Sequence, residues 1–247
     1  MPLEKLIDTT SNPLAPEFLY LSVSFPEPLE DRPSTYLNMV STADGKIVIG
    51  EVGGSAKGVG GETDQLLFRR LQLTCDAAMI GGATLRSCQV IYPPEVRRFV
   101  VTRSGDLSLQ NRFFTDAPDK AYILAPSDLP AKKLEELKTV ANVIQTGEGG
   151  VDLKSAMRIL RQEHGIKLLL CEGGAKLNDE LLLAGLVDEL FLTIAPKLKG
   201  GSQNPTVVDG TGFPPNFALP LSILSLYRDE DELYFRYKLG DSPFDLG

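Results

Sequence analysis

The chain has 247 residues, 43% of them hydrophobic and 23% charged, with a formal net charge of −8. This balance excludes general disorder and leaves room for one large domain or two small ones, of which we expect one. Excess negative charge disfavours nucleic acid or an anionic membrane as partner, because both require clustered cations. An anionic small molecule stays possible where backbone amides and a few Lys or Arg build the site.

Cys75, Cys88 and Cys171 are widely spaced, which fits reduced thiols in a cytoplasmic setting and not a disulfide framework. No apolar run approaches the ~20 residues of a membrane span, and the first residues lack the basic start and apolar core of a signal peptide. His164 is the sole histidine. Without a second His or a C-x-x-C pair, no metal site and no zinc-deaminase signature is expected. The place of His164 beside Gly165 suggests helix-terminal charge compensation and not a hydrolase triad.

In chain order, residues 1–33 hold many prolines and no sustained period, although residues 18–23 offer a short edge strand. Residues 35–40 read as a strand closed by an Asp44-Gly45 turn. The glycine-rich segment GEVGGSAKGVGG, residues 50–61, is a loop: a mobile linker or a flap. Residues 63–74 are helical by pattern, with Leu66, Leu67 and Leu71 on one stripe and Arg69 and Arg70 beside it. Residues 76–85, DAAMIGGATL, give a strand, a glycine pair and a helix start. Residues 98–102 form a strand followed by Arg103-Ser104, either a solvated turn or the place where a base and a hydroxyl meet an adenosine 2′-phosphate.

Strands at 121–125 and 142–145 flank a helix at 129–139, and a helix at 153–164 leads into the apolar strand 168–171. That strand lacks polar alternation, as expected of one buried on both faces. Glu172-Gly173-Gly174 and a helix from Ala175 follow. Two glycines permit positive φ and let a ligand approach without meeting a Cβ, and the free amides of a helix start favour a phosphate. A bare turn is the competing reading of the same residues. Residues 190–195 form another strand ended by Pro196, and strands at 221–227 and 232–239 close the chain as a hairpin. The expected class is α/β, with a mostly parallel central sheet of about eight or nine strands, a C-terminal antiparallel hairpin and helices on both faces.

Three of these stretches carry a resemblance: EGGAKLNDELLLAGLVDELFLTIAPKLKGG at residues 172–201, DAAMIGGAT at 76–84, and Asn38 ahead of the Asp44-Gly45 turn. Together they resemble the riboflavin-pathway pyrimidine reductases, which comprise the reductase half of bacterial bifunctional deaminase/reductases and the stand-alone enzymes of archaea and fungi. The resemblance covers roughly residues 33–239. It implies a dihydrofolate-reductase-like domain at 33–240, with an N-terminal extension at 1–32 and a tail at 241–247.

The implied reaction is NADPH-dependent reduction of a ribosylamino group on a phosphorylated pyrimidine to ribitylamino, by a cytoplasmic homodimer. The resemblance makes Asn38 and Glu172 substrate contacts and brings Val40, Ser41 and Thr42 near the nicotinamide. Gly81, Gly82, Ala83, Thr84 and Leu85, with Gly173, Gly174, Ala175, Lys176 and Leu177, become cofactor contacts, joined by Arg103 and Ser104. Ser55 and Lys57 would lie on a flap that closes over the site. Asp44 either fixes its turn or transfers a proton, the turn being the commoner role of Asp-Gly, and Glu172, Asp44 and bound water are all open as proton donor. Two departures concern the substrate phosphate. Gln72 stands where the family commonly has Arg, and residues 86–92 replace an Asp-rich segment ending in Leu-x-x-Arg. Arg69, Arg70 or Arg86 would have to supply the missing charge. The alternatives are a reductase of the same fold acting on another heterocycle or a pterin, and a non-catalytic nucleotide-binding protein.

Overall fold

The apolar run at residues 168–171 lies near the middle of a ten-stranded sheet. In the computed structural model, which describes residues 3–51 and 53–240, the strands are β1 (Glu4–Asp8), β2 (Ser34–Thr42), β3 (Ala77–Gly81), β4 (Arg97–Val101), β5 (Ala121–Ala125), β6 (Asn142–Gln145), β7 (Leu168–Cys171), β8 (Glu189–Ala195), β9 (Leu221–Asp229) and β10 (Glu232–Leu239). Their order is β1-β9-β10-β8-β2-β7-β3-β4-β5-β6. From β8 through β6 every neighbour is parallel, and β10 turns the sheet antiparallel. The expected tail at 241–247 lies outside the described residues.

Helices sit on both faces. Alternation of side chains along each strand sends Tyr36, Ile80, Val100, Ile123 and Leu170 to one core. Leu67 and Leu71 of α1 (Glu62–Thr74), Leu85 of α2 (Gly82–Ser87), Phe113 and Phe114 of α3 (Arg112–Thr115) and Leu137 of α4 (Ala131–Lys138) cover it. Leu37, Met79, Phe99, Leu124 and Leu169 face the other way, beneath α5 (Leu153–Gln162) and α6 (Ala175–Leu183). In α5 the apolar set Leu153, Ala156, Met157 and Leu160 repeats at one-turn spacing, and Asp152 caps the start by accepting from the Ser155 amide at 3.1 Å. Each fully buried leucine here is worth about 2 kcal/mol of removed apolar surface. Among the described residues no helix is long and apolar enough to cross a membrane.

The N-terminal segment departs from expectation. Residues 18–23 form no strand: Pro16–Phe18 make a 3-10 turn, and Tyr20 adopts φ 65° with its ring buried edge-on against Phe191. The edge strand lies earlier, where residues 4–8 pair antiparallel with β9. Pro16 opens the 3-10 turn and the positive φ of Tyr20 breaks the extended path within residues 18–23, whereas Glu4–Asp8 holds no proline and runs along the edge of β9. Arg236 fastens the chain just beyond Tyr20, pairing with the buried Glu189 at 2.8 Å and donating to the Ser24 carbonyl at 2.6 Å.

Candidate active site

A cleft of about 2430 Å³ opens above the carboxyl ends of β2, β3, β4 and β7, the position where open parallel sheets receive ligands. Its floor is the pair of glycine turns. β3 and β7 are adjacent in the sheet, so the turns at their ends meet: the Gly81 amide donates to the Gly173 carbonyl at 2.7 Å. Gly173 takes φ 79°, and a Cβ there would lie 3.1 Å from the Met39 sulfur. At Gly174 a Cβ would come within 3.1 Å of Thr84 Oγ1. Glycine is therefore required at 173 by its backbone conformation, and at 174 a side chain would press on Thr84 of the facing turn.

Gly81 and Gly174 are also the residues that precede α2 and α6, and neither supplies a side-chain cap. The first-turn amides of both helices lack an internal partner and face the same cleft, where the positive ends of the helix dipoles add. Gly82, Ala83, Thr84, Ala175, Lys176 and Leu177 line it, whereas Leu85 turns into the core with 0% exposure and Gly173 lies beneath the surface. At one end of the cleft Arg103 and Ser104 are exposed, and Arg103 Nε lies 3.7 Å from the Cβ position of Gly150. Residues 150–154, the end of the loop after β6 and the start of α5, also line this end, a place that only strand order reveals.

Glu172 anchors the other end. Gln72 Nε2 donates to its Oε1 at 2.8 Å and the Tyr92 hydroxyl to its Oε2 at 2.9 Å. Burial dominates its electrostatics and pushes the carboxyl from 4.5 up to about 7, against the two hydrogen bonds, which favour the charged form. Asn38 and Val40 line the same region from β2, while Ser41 and Thr42 are buried at 3% and 1% and do not reach it. Gln72 thus contributes an amide donor to Glu172 where a guanidinium was expected by resemblance. Tyr92 was missed by sequence reasoning, for it sits in a loop without periodic signal.

Arg69, Arg86, Ser55 and Lys57 line the cleft, and Arg69 is exposed. Arg70 does not: it donates to the Leu19 carbonyl at 2.9 Å and ties the N-terminal segment to α1. Asp44 also lies outside. Its carboxylate accepts from Thr42 Oγ1 at 2.6 Å and from the amides of Lys199 and Gly200 at 3.0 and 2.6 Å, and these bonds hold it well below the usual carboxylate range. At the base of the 50–61 loop, Lys197 Nζ donates to the carbonyls of Gly58 and Val59 at 2.8 and 2.7 Å, and Glu232 accepts from the Gly61 amide at 2.8 Å. Asp64, buried beneath Gly60, was also unforeseen; desolvation raises it to about 6, with the Thr193 hydroxyl opposing. His164 packs edge-on against Tyr122, away from the cleft.

Comparison with known proteins agrees with this geometry. The model of the RibD C-terminal domain family matches residues 33–233. A 2,5-diamino-6-ribosylamino-4(3H)-pyrimidinone 5′-phosphate reductase from Methanothermobacter thermautotrophicus is 32% identical over 190 residues, covering 73% of this chain and 86% of its own. The riboflavin biosynthesis protein RibD of Actinobacillus pleuropneumoniae is 27% identical, and the match spans half of that longer protein, 50%. Among solved structures, a pyrimidine reductase-like protein from Corynebacterium diphtheriae superposes with a TM-score of 0.73 at 21% identity, covering 86% of this chain and 94% of that one. The architecture is accordingly the dihydrofolate-reductase-like α/β fold of RibD-type reductases.

Proposed function

We propose, since the chain belongs to the RibD C-terminal domain family, that it is an oxidoreductase of riboflavin biosynthesis reducing the ribosylamino group of a 2,5-diamino-6-ribosylamino-4(3H)-pyrimidinone 5′-phosphate to ribitylamino. NADPH is the reductant. The observation that carries this reading is the contact between the two glycine turns, 2.7 Å from the Gly81 amide to the Gly173 carbonyl, which sets two uncapped helix starts side by side over one cleft. A dinucleotide diphosphate matches that paired set of amides, and the glycines leave the space a phosphate needs.

When bound, the cofactor supplies a hydride to the sugar C1′ once the sugar has opened to an imine, and a proton must reach the nitrogen. The chain's own residues do the rest. Amides of residues 82–84 and 175–177 hold the diphosphate, and Arg103 with Ser104 favours a 2′-phosphate, hence NADPH over NADH. Asn38 and Glu172 orient the pyrimidine beside Val40. Glu172, held near neutrality, keeps a proton in reach of the nitrogen at physiological pH. Asp44, committed to three donors, is a turn residue here. Arg69 takes the sugar phosphate, one helical turn from Gln72 on the same face of α1. Ser55 and Lys57 close over the site with the 50–61 loop and exclude water.

The catalytic unit is residues 33–240, preceded by the 1–32 extension. It works in the cytoplasm as a homodimer, whose mass sedimentation would measure. One observation favours a second reading: Gln72 brings no charge to the place of the family arginine, which suits a heterocycle without that phosphate. Following NADPH oxidation with the ribosylamino-pyrimidine phosphate tests both. Turnover that Arg69→Ala weakens through KM supports the first; binding of NADPH with turnover of only an unphosphorylated heterocycle or pterin supports the second.

A further inference from the structure

Arg98 is the largest fully buried side chain of the described residues, at 0% exposure. Its Nε and Nη1 have no hydrogen-bond partner, and its Nη2 makes only a long contact, 3.4 Å, to the Pro93 carbonyl. A guanidinium in such a place calls for an explanation. Its carbon lies 5.7 Å from the centre of the Tyr92 ring, a cation–π distance. Tyr92 is itself buried, at 4%, with its ring edge-on to Phe113. Its hydroxyl is the donor that reaches Glu172 Oε2.

We infer that Tyr92 is a positioning residue for Glu172, and that Arg98 holds and polarises Tyr92, so that a line of side chains from the core fixes the carboxyl at the substrate end of the cleft. The inference rests on the reaction proposed above. Gln72 and Tyr92 each occupy one acceptor site on a separate carboxyl oxygen, which leaves each oxygen a further lone pair for substrate. The carboxyl cannot swing, because its two clamps come from α1 and from the loop after α2. Electron withdrawal by the buried cation makes the phenol a better donor, which strengthens its hold on the charged form of Glu172.

The groups that couple electrostatically to Glu172 are Tyr36, Cys75, Tyr92 and Cys171, and each is raised above its ordinary value mainly by burial. All four stay neutral at neutral pH; Asp64, buried beneath Gly60 and raised to about 6, is the other cleft carboxyl that titrates near neutrality. Removing the Tyr92 hydroxyl removes one of only two donors that oppose the protonation of Glu172.

The test is a titration of the Glu172 carboxyl by NMR in chain labelled with 13C at glutamate carboxyls, its signal assigned by Glu172→Gln. It is run on wild type, Tyr92→Phe, Arg98→Met and Arg98→Lys. A hydrogen bond to a charged acceptor sets the scale: Tyr92→Phe should move the inflection up by about one pH unit, Arg98→Met up by less, and Arg98→Lys should restore it. The fall of kcat/KM as pH rises through neutrality should move up with it while the dissociation constant of NADPH stays put. An inflection that Tyr92→Phe leaves in place overturns the inference. If wild type does not turn over the pyrimidine phosphate, the assigned reaction fails, and the NMR inflection, which needs neither substrate nor cofactor, still decides the role of Tyr92. Tyr92→Phe keeps the buried ring, so its folded state is expected to survive.

Discussion

Replacing Glu172 by Gln should stabilise the protein at alkaline pH while destroying its activity. The folded-state value of about 7 stands above the ordinary 4.5, so the folded chain binds this proton more tightly than the unfolded chain. The stability it contributes is therefore complete below pH ~4.5 and is lost as pH rises through 7. A rise of roughly 2.5 pH units at ~1.4 kcal/mol each means that ionised Glu172 costs about 3 kcal/mol above pH 8. Gln has the same shape and no charge to desolvate, and its carbonyl can still accept from Gln72 or Tyr92. At pH 4, where Glu172 is protonated in the folded chain and largely so in the unfolded one, the two proteins should melt together. At pH 8.5 the variant should lead by about 3 kcal/mol, or about 6 °C or more for a chain of this size. Asp64, which also titrates near neutrality, is common to both and cancels. Urea unfolding at the two pH values reads the difference, and NADPH oxidation reads the lost activity. Equal stability at pH 8.5 would refute the argument that burial governs this carboxyl.

Other expectations rest on the same geometry. Gly174→Val places a side chain against Thr84 Oγ1, 3.1 Å from the Cβ position, and fills the cradle; by titration, NADPH affinity should fall by about thirtyfold to a hundredfold, as for the loss of one or two charged hydrogen bonds. Asp44→Asn gives up a charged acceptor of Thr42, Lys199 and Gly200, so the melting temperature should fall at pH 7 with kcat retained. Because the folded Asp44 lies below its ordinary 3.8, that gap should narrow as pH drops below ~4, where wild type loses the same charge. Lys197→Met removes the cation holding the Gly58 and Val59 carbonyls; limited proteolysis within residues 50–61 should speed up, and kcat/KM should fall about threefold to tenfold.

Most of the scaffold was legible in the chain. Strands β5, β6, β7 and β10 have the bounds their patterns and flanking turns suggest: β5 and β7 because buried strands in a parallel sheet are continuously apolar, β10 because an antiparallel strand alternates, and β6 because a short apolar pair is closed by polar turns. The apolar face of α5 follows from one-turn spacing alone; in α1, Leu67 and Leu71 turn inward as read, whereas Leu66, set beside them on the stripe, is 38% exposed because it lies one residue off the face that meets the sheet. At the N-terminus the reading failed at residues 18–23, where the chain turns at Tyr20, and the free edge of β9 is taken by residues 4–8. Local pattern carries no record of which edge is free.

For the site, sequence determined the two glycine turns, the acidic residue before the second, and the helices that start after each, all of which are local chemistry within ten residues. Tertiary structure decided that the turns touch, because that depends on β3 and β7 being neighbours although about ninety residues separate them. The same is true of Glu172, whose donors Gln72 and Tyr92 are 100 and 80 residues away, and of Asp44, whose carboxylate is claimed by amides 155 and 156 residues on. A carboxyl's charge state depends on burial and on partners brought by the fold, and neither is written in its sequence neighbours.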